Sequence, residues 1–323
     1  MNQKKILRAA KYLEQFTNKH GTKIAMLVPL LAFLIFFSYS TISALITVKS
    51  IQLPKNFKKI KFKIKDYFVE HLDENSQEKL WNLKAKSAIV NSKYSKAEIT
   101  DPVIEYFEKG TTNTKFLLSA KHADLDKKIQ SFDLRESVKL NYENNTYLLD
   151  SGKLTFSEES SGFKVSKDWT LNSPSKDILI SGREGEISKD FQSIKSLGLA
   201  KLEKGPYQLS ADRININISP GRQIVDSYGS AKLVIPDKNI LLTASEIHLD
   251  AKGNLRAQGS VNINTDNTNC FAEKLCVRTE NKTQIATLTG NPYILRNSDK
   301  IYADEIIYNF DTEELTIKGN VHS

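Results

Sequence analysis

The side chains that most often do chemistry are few and scattered in this sequence. Two cysteines, Cys270 and Cys276, lie close together, and the five histidines are spread over the whole chain. A CxxxxxC spacing without histidine partners is not a metal pattern. The sequence contains no GxSxG, HExxH, Walker A or GxGxxG motif, so it supports neither an enzyme nor a cofactor or metal site.

Carboxylates do recur next to small residues, as in Ala211-Asp212, Ser245-Glu246 and Ala303-Asp304. Acid-base catalysis requires such groups to converge on one reacting atom. Their position along the strands instead predicts that these carboxylates lie on an outward face in water.

The small residues belong to a repeat of about 31 residues, which fills Leu80 to Ser323 in eight units. Each unit reads as two strands joined by a turn. We call the small residue in the first strand the first mark, and the residue in the second strand, often Gly, the second mark. The first marks are Ala85, Ala120, Ser151, Gly182, Ala211, Ala244, Ala272 and Ala303. The second marks are Asp101, Glu136, Asp168, Gly198, Gly229, Gly259, Gly290 and Gly319.

The apolar positions within a unit predict a bend. Before the first mark they lie at even offsets, as Leu242 does before Ala244, but after it they lie at odd offsets, as Ile247 does. Strict strand alternation would keep the offsets even. The switch predicts one extra residue just after the first mark, where a bulge or bend would keep the same face inward.

Stacked units of this kind bury one continuous apolar face between two sheets. Most of these inward stripes are expected to be plain core, and the alternative is that part of the interior takes an apolar ligand. The candidates for a lipid groove are Leu83, Phe116, Leu118, Leu149, Ile180, Leu209, Leu242 and Ile301. Their outward neighbours include Lys84, Lys121 and Thr243. Cys270 and Cys276 fall on opposite faces by the same reasoning, so a mutual disulfide is not expected.

The front of the chain has a different composition. Residues 24–48 form an uncharged apolar run, long enough for a transmembrane helix of about 20 residues or more. Basic residues collar it, since residues 1–23 and 49–65 together carry a net charge of +12 and the remainder carries −4. The overall charge of +8 therefore indicates contact with anionic lipid headgroups, not binding to nucleic acid. An uncleaved anchor is favoured over a signal peptide because no A-x-A site follows the run.

These observations predict the following order: a cytoplasmic basic tail (1–23), a transmembrane helix (24–48), a basic linker (49–79) and two stretches of repeats (80–204 and 205–323). The Lys-rich alternation at 57–65 fits either a short strand or a segment on the membrane surface. The Asn-, Thr- and Ser-rich repeats are typical of an exported domain, which places the N-terminus in the cytoplasm.

The sequence resembles two related families. LWNLKAKSAIV, AEITDPVIEYF and TKFLLSAKHADL are similar to LptC, the bitopic inner-membrane component of lipopolysaccharide transport, on Trp81, Leu83, Ala85, Ala88, Asp101, Pro102 and Tyr106. LTGNPYILRNSDKIYADEIIYNFDTEELTIKGNV, residues 288–321, is similar to the LptA (OstA-type) repeats. LptC alone is usually shorter, so the last units suggest a longer bridge or a fused LptA-like domain.

The resemblance implies an all-β fold, a repeat-built antiparallel β-jellyroll with a V-shaped open groove, behind a single N-terminal transmembrane helix. It also implies a periplasmic lipid bridge that receives lipopolysaccharide from an inner-membrane ABC transporter (LptB, LptF and LptG-like subunits). An LptA-like periplasmic protein would be the next partner, docking on the C-terminal edge at Thr316, Lys318 and Asn320. The rival interpretations are a membrane-anchored scaffold or carbohydrate-binding protein without lipid transport, and a parallel β-helix enzyme, which should show a converging acidic cluster.

Overall fold

Nearly the whole described chain consists of antiparallel β-strands. The computed structural model describes residues 61–322, apart from 74–75, 129, 144, 220–221, 266–267, 281–282, 297–298 and 313. The strands are β1 (Lys61–Leu72), β2 (Lys79–Asn91), β3 (Lys96–Phe107), β4 (Thr114–Ser119), β5 (His122–Asp126), β6 (Ser131–Tyr142), β7 (Tyr147–Ser157), β8 (Gly162–Ser173), β9 (Ile178–Ser188), β10 (Ser193–Lys204), β11 (Tyr207–Ser219), β12 (Arg222–Ile235), β13 (Ile240–Leu249), β14 (Leu255–Asn264), β15 (Asn269–Glu280), β16 (Thr283–Thr289), β17 (Tyr293–Arg296), β18 (Asp299–Tyr302), β19 (Glu305–Asn309) and β20 (Leu315–Lys318). Short 3-10 turns occupy Pro174–Lys176 and Pro236–Lys238.

The strands follow one another in space in the order of the chain, each pairing antiparallel with its neighbour. Three strands are interrupted at their middle. β4 and β5 both pair with β3 on one side and β6 on the other, so they act as the two halves of one bent strand. β16 and β17 both pair with β15, and β18 and β19 continue the pattern beside them. The prediction of an all-β antiparallel fold is confirmed, and the arrangement is consistent with a β-jellyroll.

Every second mark lies at a bend. All eight have a positive φ, from 51° at Asp101 to 91° at Gly319. This left-handed conformation is uncommon for residues with a side chain and easy for glycine, which is why glycine recurs at the mark in the later units. Asp101, Glu136 and Asp168, which stand in place of glycine in the early units, adopt the same left-handed conformation, which the sequence did not predict.

The predicted extra residue after the first mark is confirmed: in β11, Ala211 and Ile214 are both buried, and two consecutive exposed residues, Asp212 and Arg213, separate them. Ser210 pairs with Lys232 and Arg213 with Tyr228, so the β12 side of the bend is one residue longer than the β11 side. Gly229 and Ser230 are consecutive left-handed residues there. These two residues bend β12 sharply, and the extra residue on the β12 side lets both strands bend together at this point.

Buried serines satisfy backbone carbonyl groups that the bends would otherwise leave unpaired. The Ser151 hydroxyl donates to the Lys153 carbonyl at 2.7 Å, the Ser196 hydroxyl to the Ser181 carbonyl at 2.8 Å and the Ser227 hydroxyl to the Ile247 carbonyl at 3.0 Å. An unpaired buried carbonyl would cost free energy comparable to a lost hydrogen bond. The bends are therefore built with their own polar partners.

The bends divide the sheet into two halves that face each other. Half-sheet A contains the part of each unit before the first mark and after the second mark, and it carries the turns at 143–146 and 174–176. Half-sheet B contains the part between the two marks, and it carries the turns at 158–161 and 189–192. Rings from A meet rings from B: Trp81 with Phe132 at 5.1 Å and Phe116 with Phe163 at 5.3 Å between ring centroids. We call the space between the halves the interior. The edge opposite the bends, where the turns of A face those of B, is the mouth.

Strand pairing continues without a break across residues 204 and 205, where the sequence suggested a boundary between two stretches of repeats. β10 and β11 pair from Ser193–Asn217 to Lys204–Tyr207. The division into 80–204 and 205–323 stays a prediction. The described residues belong to one unit, Lys59–Ser323.

The predicted linker, residues 49–79, contains β1. Residues 61–65 therefore form part of a strand and not a segment on the membrane surface. The predicted transmembrane helix, 24–48, lies outside the described residues. Among the residues that are described, no helix is long and apolar enough to cross a membrane.

Candidate functional site

The eight predicted groove residues all lie on half-sheet A and point into the interior. Seven of them are buried, with exposed fractions between 0% and 3%, and Ile301 is partly exposed. The outward neighbours Lys84, Lys121 and Thr243 lie on the other face, where the first two are exposed. The structure therefore brings the predicted residues together along one wall of a single core, and their contact with a ligand stays a prediction.

The opposite wall was missed from the list of candidates. Half-sheet B contributes a matching stripe at three residues after each first mark. Its members are Ala88, Ala123, Leu154, Gly185, Ile214, Ile247, Leu275 and Ile306. The odd-offset apolar positions in the sequence were the signal for this stripe, because the bend keeps them on the inner face.

Aromatic side chains fill the interior between β3 and β9, and we call this part the first section. The aromatic cluster consists of Tyr106, Phe116, Tyr142, Tyr147, Phe156, Phe163 and Phe191. Neighbouring rings lie 4.4 to 6.1 Å apart between centroids, within the range for favourable ring pairs. Six of the seven rings are at most 4% exposed, so the mouth is closed over this section.

We call the interior from β10 onward the second section, and it is lined mainly by aliphatic side chains, with Tyr308 and Phe310 packed against the core near its C-terminal end. Leu233, Leu242 and Ile247 are buried close to the bends. The inward positions nearer the mouth are only partly buried, and these are Ile218, Ile235, Leu249, Ile263, Cys270 and Val277. An apolar wall is thus reachable from the mouth in the second section, whereas the equivalent positions of the first section are enclosed.

A polar contact crosses the mouth where the second section begins. Lys204, at the end of β10 in half-sheet A, donates through Nζ to Oε1 of Gln223, near the start of β12 in half-sheet B, at 2.6 Å. Both side chains are on the inward side of their strands. Contacts between exposed polar groups contribute little to stability, so this crossing opens more easily than a stack of buried rings.

The two cysteines lie on opposite faces, as predicted, and both are free. Cys270 pairs with Ile263 on the inner face of half-sheet A, whereas Cys276 pairs with Arg256 on the outer face of half-sheet B. Burial raises the pKa of the Cys270 thiol. The pair provides one natural thiol on each side of the wall.

The predicted docking residues lie at the C-terminal edge. Thr316 and Lys318 are outward residues of β20, which pairs with β19 and with no other described strand. Lys318 lies 3.7 Å from Glu305, and the Asn320 backbone N–H donates to Asp304 at 3.1 Å. One side of β20 therefore presents unpaired backbone groups among the described residues, and docking at this edge stays a prediction.

Comparison with known families gives two matches, one in the N-terminal part of the chain and one in the C-terminal part. Residues 27–157 match a family described as lipopolysaccharide-assembly, LptC-related. Residues 180–314 match the family of the LptA/(LptD N-terminal domain) LPS transport protein. No curated protein matches the chain as an individual relative. The interval between the two matches contains β8, which pairs with β7 and β9 along its length.

Proposed function

On the premise that this chain is an LptC-related protein whose C-terminal part is built of LptA-like repeats, we propose that it is a lipid bridge for lipopolysaccharide transport. In this proposal the chain is anchored in the inner membrane by residues 24–48, with its N-terminus in the cytoplasm. It receives lipopolysaccharide from an ABC transporter with LptB-, LptF- and LptG-like subunits. It passes the lipid through a V-shaped groove to a periplasmic LptA-like protein.

The observation that supports this proposal most strongly is the continuity of the apolar inner face. The apolar inner face runs from the LptC-related part through β8 into the LptA-like part without a break in strand pairing. A lipid with several acyl chains needs a long apolar surface, and each CH₂ removed from water contributes ~0.8 kcal/mol. Such a surface retains a lipid without one strong polar site and still lets it move along.

Photo-crosslinking tests the proposal directly. A crosslinking residue at Leu242 or Ile301, on the inner face, should label lipopolysaccharide when the transporter is supplied with ATP. The same residue at Thr243 or Lys84, on the outer face, should not. Equal labelling of both faces, or no labelling of either in a folded protein, would contradict lipid passage through the interior.

Crosslinking at the C-terminal edge of the sheet tests the direction of lipid transfer. Crosslinkers at Thr316, Lys318 and Asn320 should trap an LptA-like protein, because an unpaired strand edge accepts a further strand. Trapping of transporter subunits at this edge would reverse the proposed direction.

A scaffold without lipid transport is the second candidate, and the closed first section favours it. A packed aromatic core is what a purely structural protein would contain. The crosslinking experiment separates the two, since a scaffold predicts no lipid at any inner position, including the partly exposed ones near the mouth.

A further inference from the structure

The turn that joins β9 to β10 lies at the border between the two sections of the interior. On one side, the Lys189 backbone N–H donates to the Ser161 carbonyl at 3.3 Å, which ties the turn to the start of β8. On the other side, the Gln192 carbonyl accepts from the Ile218 backbone N–H at 2.7 Å. Ile218 is the first of the partly buried residues of the second section.

Phe191 extends from this turn across the mouth. It comes from half-sheet B, but its ring lies 4.4 Å from Tyr142 and 5.0 Å from Tyr147, both at the end of half-sheet A. It also contacts Phe163, at 5.8 Å. Phe191 has no exposed surface, although it belongs to a turn at the open edge of the fold.

The backbone holds Phe191 in this place. Its φ is +57°, in the left-handed region, and its N–H donates to the Ser188 carbonyl at 2.9 Å. Asp190 accepts from the Ser188 hydroxyl and from the Gln192 N–H, and the Ser188 hydroxyl accepts from the Ser193 N–H at 2.9 Å. A non-glycine residue in this conformation persists only where its surroundings hold it, and here the ring contacts and the turn do so together.

A second turn of the same kind shows that the backbone alone does not close the mouth. Tyr94, between β2 and β3, also has a left-handed φ, of +54°, and its N–H donates to the Asn91 carbonyl at 2.9 Å. Yet Tyr94 is 53% exposed and stacks only on Phe62. What distinguishes Phe191 is the pair of tyrosines on the opposite half-sheet.

We propose that Phe191 is a latch that confines bound acyl chains to the second section until it swings out. This inference rests on the proposed function, because it specifies where in the interior the acyl chains lie. With Phe191 in place, chains entering at the mouth reach Ile218 and Ile235 but not the enclosed ring of Phe116. Displacement of one side chain and its turn joins the two sections into one track.

The test uses p-azidophenylalanine, which adds only an azide to a phenylalanine, in the full-length protein with purified lipopolysaccharide as the probe. One version carries it at Phe116 in the first section, and another carries it at Ile235 in the second. In the otherwise unchanged chain, position 235 should label and position 116 should stay at background. Phe191→Ala should raise labelling at position 116 to a level comparable with position 235.

Tyr94→Ala is the matched control, because it removes an aromatic side chain from an equivalent turn without opening the interior. It should leave both positions unchanged. If Phe191→Ala does not fold, Tyr147→Leu removes the ring of half-sheet A that stacks on Phe191 and should also raise labelling at position 116.

Strong labelling at position 116 with Phe191 intact, or no rise in a folded Phe191→Ala protein, would overturn the latch while leaving the lipid bridge in place. Absence of labelling at position 235 as well would overturn the lipid bridge and the latch together. The two failures are therefore distinguishable.

Discussion

Phe116 and Phe163 meet edge to face, with ring centroids 5.3 Å apart and planes at 86°, although they belong to opposite half-sheets. Phe116 lies on β4 in half-sheet A, and Phe163 is the second residue of β8 in half-sheet B. No local interaction could bring them together. Their contact is one of the ring pairs that hold the two halves of the bent sheet against each other.

Removal of this contact should destabilise the fold strongly. Phe163→Ala is expected to lower the free energy of unfolding by about 3–5 kcal/mol, because it deletes a fully buried ring and leaves a cavity among other rings. The measurement is chemical denaturation followed by tryptophan fluorescence. Tyr207→Ala is the control, since Tyr207 is 47% exposed at the mouth, and it should change the stability by no more than about 0.5 kcal/mol.

The glycines at the bends should not tolerate a side chain. Gly259 has a φ of +78°, and an added Cβ would lie 2.6 Å from the Ser245 hydroxyl and 2.8 Å from the Ser245 Cβ. Gly253 has nearly the same φ, +79°, in a turn where an added Cβ would meet nothing within 4 Å. Gly253→Ala should therefore cost about 1–2 kcal/mol from backbone strain alone, and Gly259→Ala should cost more.

A second substitution isolates the steric part of that cost. Ser245→Gly in the Gly259→Ala background removes the clashing side chain and should return the unfolding midpoint toward that of Gly253→Ala. Equal midpoints for the two single alanine variants would show that the close approach of Ser245 is relieved at no cost.

The two cysteines should report the two faces of the wall. With Cys276→Ser, the remaining Cys270 should react slowly with a polar maleimide, because it is half-buried and its raised pKa leaves little thiolate at neutral pH. With Cys270→Ser, the remaining Cys276 should react faster. Raising the pH should accelerate the reaction of Cys270 with the maleimide. Adding lipopolysaccharide should slow the reaction of Cys270 and leave that of Cys276 unchanged. Protection of Cys276 by the lipid would place the lipid on the wrong face.

Acid should loosen the turn that carries Phe191. The Ser188 hydroxyl and the Gln192 N–H donate to Asp190 and hold the pKa of that carboxyl below its usual value. Because the pKa is depressed in the folded state, the stabilisation is present above the unfolded value of about 3.9 and is lost as the pH falls through the lower folded value. Asp190→Asn should therefore lower the denaturation midpoint at pH 6 and have much less effect at pH 3.

Ser188→Ala provides the check on this interpretation, since it removes the main donor to Asp190. It should reduce the difference between wild type and Asp190→Asn at pH 6. A constant difference between pH 6 and pH 3 would show that the carboxylate charge does not support the turn.

The sequence by itself determined the repeat, the bends and the faces. The second marks that the repeat identified, among them Gly229, Gly259 and Gly290, coincide with left-handed backbone, since all eight have positive φ and glycine adopts it easily. The switch from even to odd apolar offsets placed Leu242 and Ile247 on one inner face, since side chains alternate along a strand and a bend changes the count. These features depend on residues close together in the chain.

The tertiary structure decided which inward residues are enclosed and which are reachable. Phe116 and Ile301 occupy the same position in their units, but one is 2% exposed and the other is partly exposed. A cluster of rings covers Phe116, whereas Ile301 lies on β18, which is only four residues long and pairs as a strand with β17 alone among the described strands. Phe191 was not a candidate, because its turn resembles that of Tyr94 and only the distant Tyr142 and Tyr147 draw its ring inward. The burial of a side chain depends on what both half-sheets place around it, whereas the periodicity of the sequence shows only which face of its own strand it occupies.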